Sequence, residues 1–107
     1  MTDTLARIVG PVALANAAAT VYTVPAATTV TLRSIHVTNE TGVQHTFRLS
    51  VGADGAGKRL FFDVPVSPVD PGFDWTGSVV MAAGEVLQAY AEVASALTLI
   101  VSAVVTA

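Results

Sequence analysis

The sequence predicts an all-β protein, an antiparallel β-sandwich or jelly roll of eight or nine short strands with no significant helix. Three observations carry this. Val, Thr, Ile and Tyr, which fit a pleated sheet, fill segments in which apolar and polar residues alternate with period two. Gly, Pro, Asn and Asp punctuate those segments at near-regular spacing. No run carries the 3.6-residue apolar periodicity of an amphipathic helix.

The elements follow in order. Leu5–Val9 reads as a strand ended by Gly10-Pro11. Val12–Ala15 and Thr20–Val24 flank Asn16–Ala19 and predict a hairpin. Thr29–Thr38 is the longest early strand, and its parity shifts partway, with Val30 and Leu32 on one face and Ile35 and Val37 on the other. A bulge or sharp twist near Arg33-Ser34 would reconcile them, as would a strand buried on both faces. Val43–Val51 alternates cleanly and points His45, Phe47, Leu49 and Val51 one way. The turn at Asn39–Gly42 predicts that it pairs antiparallel with the strand before it.

A flexible loop, Gly52–Gly57, leads to a strand at Arg59–Val66. Ser67–Gly72, with two prolines and a glycine, is the strongest break in the chain. Phe73–Met81 follows, the corner Ala82–Glu85 turns into Val86–Val93, and Ala94–Ala96 returns the chain through Leu97–Thr106 as a last hairpin. Leu87, Ala89, Ala91 and Val93, with Leu97, Leu99, Val101 and Ala103, are expected to supply much of the core. Ile100 and Val104 make the final strand apolar on both faces, which suits a sheet centre or a covered surface.

At 107 residues this is one domain, with residues 1–10 as a candidate amino-terminal arm. Alanine and valine each occur 18 times, while charged residues make up only 12%, against about a quarter in an ordinary soluble domain. A small domain exposes much of its surface, so so little charge predicts a subunit covered by others, a homo-oligomer included. A net charge of −3 with five scattered basic residues argues against nucleic-acid binding. Without cysteine there are no disulfides, thiolate metal ligands or thiol nucleophile. The polar start Met1–Thr4 lacks the pattern of a signal peptide, and Ser95, Thr98 and Ser102 break the carboxy-terminal apolar stretch, so no membrane partner is expected.

Residues that could carry chemistry have plainer readings. Gly52–Lys58 matches the first seven positions of a phosphate-binding P-loop, but Arg59 stands where Ser or Thr must hold Mg²⁺ and strand follows where a helix must begin. A Gly-rich hairpin loop is the better reading. His36 and His45, expected on adjacent strands with Glu40 near, are too few for a zinc site, and no metal or other cofactor is predicted. Asp54, Asp63, Asp70 and Asp74 lack the spacing of a calcium loop, and Asp70 and Asp74 flank Pro71-Gly72 as turn residues. No Gly-x-Ser-x-Gly elbow is present, so no catalytic residues are assigned and enzyme activity is not expected. Phe73, Trp75 and Tyr90 read either as an aromatic platform for a sugar or as a plug for the core or an interface. Together with Leu5 and Ile8 they are the candidate interface or ligand contacts.

The chain also resembles a family. Tyr22, Val24, Pro25 and Ala26, then Ile35, Val37, Asn39, Thr41 and Gly42, resemble the "Y-x-VPA" corner and "V-x-N-x-(T/S)-G" turn of small β-sandwich virion proteins of tailed bacteriophages. Phe47–Gly52 is similar to the family's "L-S-V-G" strand, and Asp63–Val66 to its mid-chain "VP" turn. Phe73, Trp75 and Gly77, then Val80–Glu85, are similar to the strand and "AGD" corner before the last hairpin. Leu97–Val104 resembles the closing strand, with Ala103 where the family carries glycine. The resemblance implies a β-sandwich and a non-enzymatic virion role: an accessory head-decoration or tail or collar subunit that assembles on other capsid or tail proteins. It also implies localisation to the virion. The alternative is a carbohydrate- or host-receptor-binding β-sandwich module.

Overall fold

The computed structural model of the chain describes residues 3–68 and 72–107. Eight strands form it: β1 (Asp3–Ala13), β2 (Ala19–Thr23), β3 (Thr29–Asn39), β4 (His45–Val51), β5 (Arg59–Val66), β6 (Phe73–Met81), β7 (Val86–Ala91) and β8 (Leu97–Thr106). No helix occurs among the described residues. Two four-stranded antiparallel sheets, ordered β1-β8-β3-β6 and β2-β7-β4-β5, pack into a β-sandwich. The pairs β1–β8, β2–β7, β3–β6 and β4–β5 are all antiparallel. The chain is therefore one long hairpin, closed at the β4–β5 loop and rolled into two sheets, which is jelly-roll topology.

This wiring corrects three of the expected pairings. Val12 and Ala13 end β1 and pair with Leu99 and Thr98, whereas β2 pairs with β7 in the other sheet. The Asn39–Gly42 turn likewise passes from β3 in one sheet to β4 in the other, so these neighbours do not pair. The last two strands do not form a hairpin either: Ser95, whose N–H donates to Leu14 O (2.9 Å), lies in the passage between sheets. A turn of four or five residues can return a chain to its own sheet or carry it the roughly 10 Å between packed sheets, and local alternation does not distinguish the two. Among the described strands, only the Gly52–Lys58 loop joins sequential partners, with the Val51 N–H donating to Lys58 O at 2.9 Å.

Strand bounds agree better. β5, β6 and β8 coincide with the expected segments, and a register shift between Leu32 and Ser34 shows that the parity change of β3 is met by a bulge rather than by burial of both faces. β1 instead continues past Gly10-Pro11 to Ala13. Gly10 adopts φ +76°, the register shifts on both sides of Val9, and β1 lies at a sheet edge, where a residue without an N–H is tolerated. Val69, Asp70 and Pro71, in the expected Ser67–Gly72 break, lie outside the described residues, as do Met1 and Thr2 of the arm.

The core sits between the sheets. Leu87, Ala89 and Ala91 of β7 face Leu97, Leu99, Val101 and Ala103 of β8, all buried, while Val93 falls in the connection after β7 and is exposed, against expectation. β8 is central in its sheet, which accounts for its two apolar faces: inward residues fill the core and Ile100 and Val104 lie half-buried among neighbouring strands. Asn39, one of two buried polar residues among those described, closes the β3–β4 passage. Its amide donates to Val43 O (2.8 Å) and Val66 O (2.9 Å), and its Oδ1 accepts from the Thr41 N–H (2.9 Å).

Candidate functional site

Three regions hold the residues that could act. The first is the sandwich edge where β5 lies over β6. Phe73 and Trp75 pair with the buried Val37 and Ile35, so both project inward. Their rings meet Phe61 edge-on, at 5.1 Å and 6.1 Å between centroids, and Phe47 lies 5.2 Å from Phe73. A Cβ on Gly77 would stand 2.7 Å from the Trp75 ring, so the glycine leaves room for the indole along β6. Four rings thus close the open side of the sandwich. Tyr90 is not among them: it alternates with the buried Ala89 and Ala91 and faces outward from the opposite sheet. The three-aromatic platform does not form, because β6 and β7 lie in different sheets and present these rings in different directions.

The second region, the outer face of the β2-β7-β4-β5 sheet, carries a polar network around Tyr90. Arg48 donates to both carboxylate oxygens of Asp63 and, at 2.7 Å, to the Tyr90 hydroxyl. Arg59 donates to Asp54 from Nε (2.9 Å) and Nη2 (3.3 Å), and the Tyr90 hydroxyl donates to Asp54 at 3.3 Å. Phe62 stacks beneath both guanidinium groups, at 4.3 Å from Arg48 and 4.7 Å from Arg59. The hydrogen bonds from Arg59 and Arg48 hold the Asp54 and Asp63 carboxyls below their ordinary range, and each arginine is raised in turn by its aspartate. A recess of about 150 Å³ beside Tyr90 is lined by Thr46, Arg48, Asp63 and Glu92.

Sequence reading missed this network. Asp54 lies within the Gly-rich loop and Arg59 begins the strand after it, a signal that was present, but the Arg48–Asp63 pair depends on the irregular register around Asp63, which has φ +49°. The loop itself is a hairpin, its Lys58 N–H donating to Gly55 O at 3.2 Å, and the Asp54 N–H is pinned by Gln88 at 3.1 Å.

The histidines do not share a site. His36 on β3 bonds Asp74 of β6, while His45 on β4 lies 3.0 Å from Glu92, on the other sheet. The expected adjacency fails for the same topological reason as the pairing of β3 with β4, and Asp74 serves as this partner on a strand rather than within a turn. Among the described residues no three His, Asp or Glu side chains gather as a metal site would need. Nor is any described helix long and apolar enough to cross a membrane.

The third region is the outer face of the β1-β8-β3-β6 sheet. Registers place Leu5 beside Val104, Val104 beside Thr31, and Thr31 beside Val80, an uncharged row across all four strands. Leu5 is 74% and Val80 65% exposed. Ile8, by contrast, is partly buried in the bulged part of β1, against the core, and lines an uncharged cleft of about 460 Å³ between β1 and β2. The structure therefore leaves Leu5 on the open surface and turns Ile8, Phe73 and Trp75 toward the interior. Comparison with protein-family models, with curated proteins and with solved structures finds no match to this chain.

Proposed function

We propose that this chain is a non-enzymatic structural subunit of a tailed-phage virion, an accessory head-decoration or tail or collar protein that assembles on other virion proteins. The observation that carries the reading is the uncharged row Leu5–Val104–Thr31–Val80, which leaves two large apolar side chains mostly exposed on a chain with little charge. An uncharged row with exposed apolar side chains at both ends suits a face that another protein covers. The jelly roll agrees with the role, being a common architecture of viral capsid domains, although it also serves lectins and cannot assign function by itself. Three of the motifs that resemble virion proteins fall on corners where the chain changes sheet: Val24 bonds Glu85 O at one, joining the Tyr22–Ala26 and Ala82–Glu85 segments, and Asn39 and Thr41 close another.

The test is quantitative mass spectrometry of intact, purified particles. The expected result is this chain at a fixed ratio to a capsid or tail protein, with Leu5→Asp and Val80→Asp each lowering incorporation while far-UV circular dichroism is unchanged. Expression without incorporation would overturn the reading. The alternative, a carbohydrate- or receptor-binding module, draws on Tyr90 and the exposed Phe62 beside the recess lined by Arg48 and Asp63. On that reading Tyr90→Ala abolishes glycan binding and leaves incorporation intact.

A further inference from the structure

β1 is an edge strand, and its two halves differ. The carboxy-terminal half carries both register shifts and Pro11, devices that blunt an edge against pairing. The amino-terminal half has neither: Asp3 to Arg7 pair with Thr106 to Ser102 of β8 without interruption. The opposite edge, β6, is interrupted where Leu32 and Ser34 face it. Asp3–Arg7 is thus a regular five-residue edge with its outer backbone groups unpaired by any described strand.

The side chains of this half are complementary to themselves. Asp3, Leu5 and Arg7 share the outer face, with opposite charges at equal distances on either side of an apolar centre. Of the four arginines, Arg7 alone has no side-chain hydrogen bond among the described residues; Arg33 bonds Ser78, Arg48 bonds Asp63 and Arg59 bonds Asp54. Asp3 accepts from the Thr106 hydroxyl with one oxygen, at 2.7 Å, leaving the other available.

We infer that β1 pairs antiparallel with β1 of a second copy of this chain, about a two-fold axis at Leu5. That register sets Asp3 opposite the partner's Arg7, Arg7 opposite the partner's Asp3, and Leu5 against its own counterpart. It is an isologous contact in which one patch meets itself. Opposite charges directly across an antiparallel pair stabilise it and like charges disfavour it. The axis stands perpendicular to the sheet, so the outer faces stay on one side. The two sheets then join into one of eight strands, and the Leu5–Val104–Thr31–Val80 row runs unbroken across both copies. Five paired residues a side make a small contact, so the association is expected to be weak and concentration-dependent. The inference goes beyond the virion role and stands or falls without it.

The test uses the full chain in sedimentation equilibrium at concentrations up to about 1 mM, where weak pairs populate. The wild type is expected to dimerise. Asp3→Lys sets Lys against the partner's Arg7 and is expected to weaken the dimer by about 10-fold or more. Combining it with Arg7→Asp restores opposite charges and recovers the dimer, which a folding defect could not do. The register is read separately by oxidation. Because the chain has no cysteine, Leu5→Cys alone should cross-link, the facing Cα atoms lying about 4.5–5.5 Å apart. Asp3→Cys should not, its counterpart being roughly 13 Å away. A wild type that remains monomeric, a double exchange no better than Asp3→Lys alone, or equal cross-linking at positions 3 and 5 would each overturn the inference. Incorporation into particles by a monomeric wild type would leave the virion role standing while removing this one.

Discussion

Replacing Asn39 by alanine tests how the chain is held where it passes between sheets. Asn39 is 4% exposed, and all the bonding capacity of its side chain is used. Both amide protons go to carbonyls, of Val43 at 2.8 Å and Val66 at 2.9 Å, and Oδ1 lies within 2.9 Å of the Thr41 N–H and 2.8 Å of the Thr41 hydroxyl. The Thr41 hydroxyl also lies 2.8 Å from Val43 O, so in the variant its single proton can turn there and keep that carbonyl bonded. Val66 O and the Thr41 N–H each lose their bond to the Asn39 side chain. Two lost bonds in a buried passage, at about 1.5 kcal/mol each, give a cost of about 3 kcal/mol. In urea unfolding, at a slope of about 1.5 kcal/mol/M for a domain of this size, the midpoint should fall by about 2 M. Asn39→Asp sharpens the test. It can still accept from Thr41, but it offers no donor and sets a charge against two carbonyl oxygens, so at neutral pH it should be at least as damaging as alanine. A loss below about 1 kcal/mol for Asn39→Ala, or Asn39→Asp outperforming it at pH 7, would refute the account of this passage.

Two further outcomes are expected. In Gly10→Ala the new Cβ would lie 2.1 Å from Leu99 O at a residue with φ +76°, whereas at Gly84, with φ +86°, it meets nothing within 4 Å. The first should cost about 3 kcal/mol or more and lower the melting temperature by more than about 10 °C, the second only about 1 kcal/mol; equal shifts would show that the clash is relieved at no cost. Asp54 and Asp63 have depressed carboxyl pKa values in the folded chain. Their stabilising effect is therefore present above the unfolded value near pH 4 and is lost as pH falls through the depressed folded values. Unfolding followed from pH 6 to 2 should show this acid loss, and the double variant Asp54→Asn/Asp63→Asn should flatten it; an unchanged profile would place the acid sensitivity elsewhere.

Strands and faces were legible in the sequence because period-two alternation is local. The parity break between Leu32 and Ile35 located the bulge at Leu32–Ser34, and the inward sets of β7 and β8 were named correctly up to Ala91. Phe73 and Trp75 were recognised as one face of one strand. Their joining with Phe47 and Phe61 was not, because it requires knowing that β6 lies over β5. Tyr90 and the histidines were misplaced for the same reason: each proposed grouping assumed that strands close in sequence are close in the sheet.

Composition and alternation by themselves determined an all-β chain, its strand segments, the inward side of most of them, and a surface poor in charge. Tertiary structure alone decided which strands pair, and with that which polar groups meet, as Arg48 and Asp63 do, and which strand is left at the edge with Asp3, Leu5 and Arg7 facing outward. The physical reason is that pairing in a jelly roll joins residues as far apart as Asp3 and Thr106. That choice is set by closing the whole core at once, and no short window of sequence contains it.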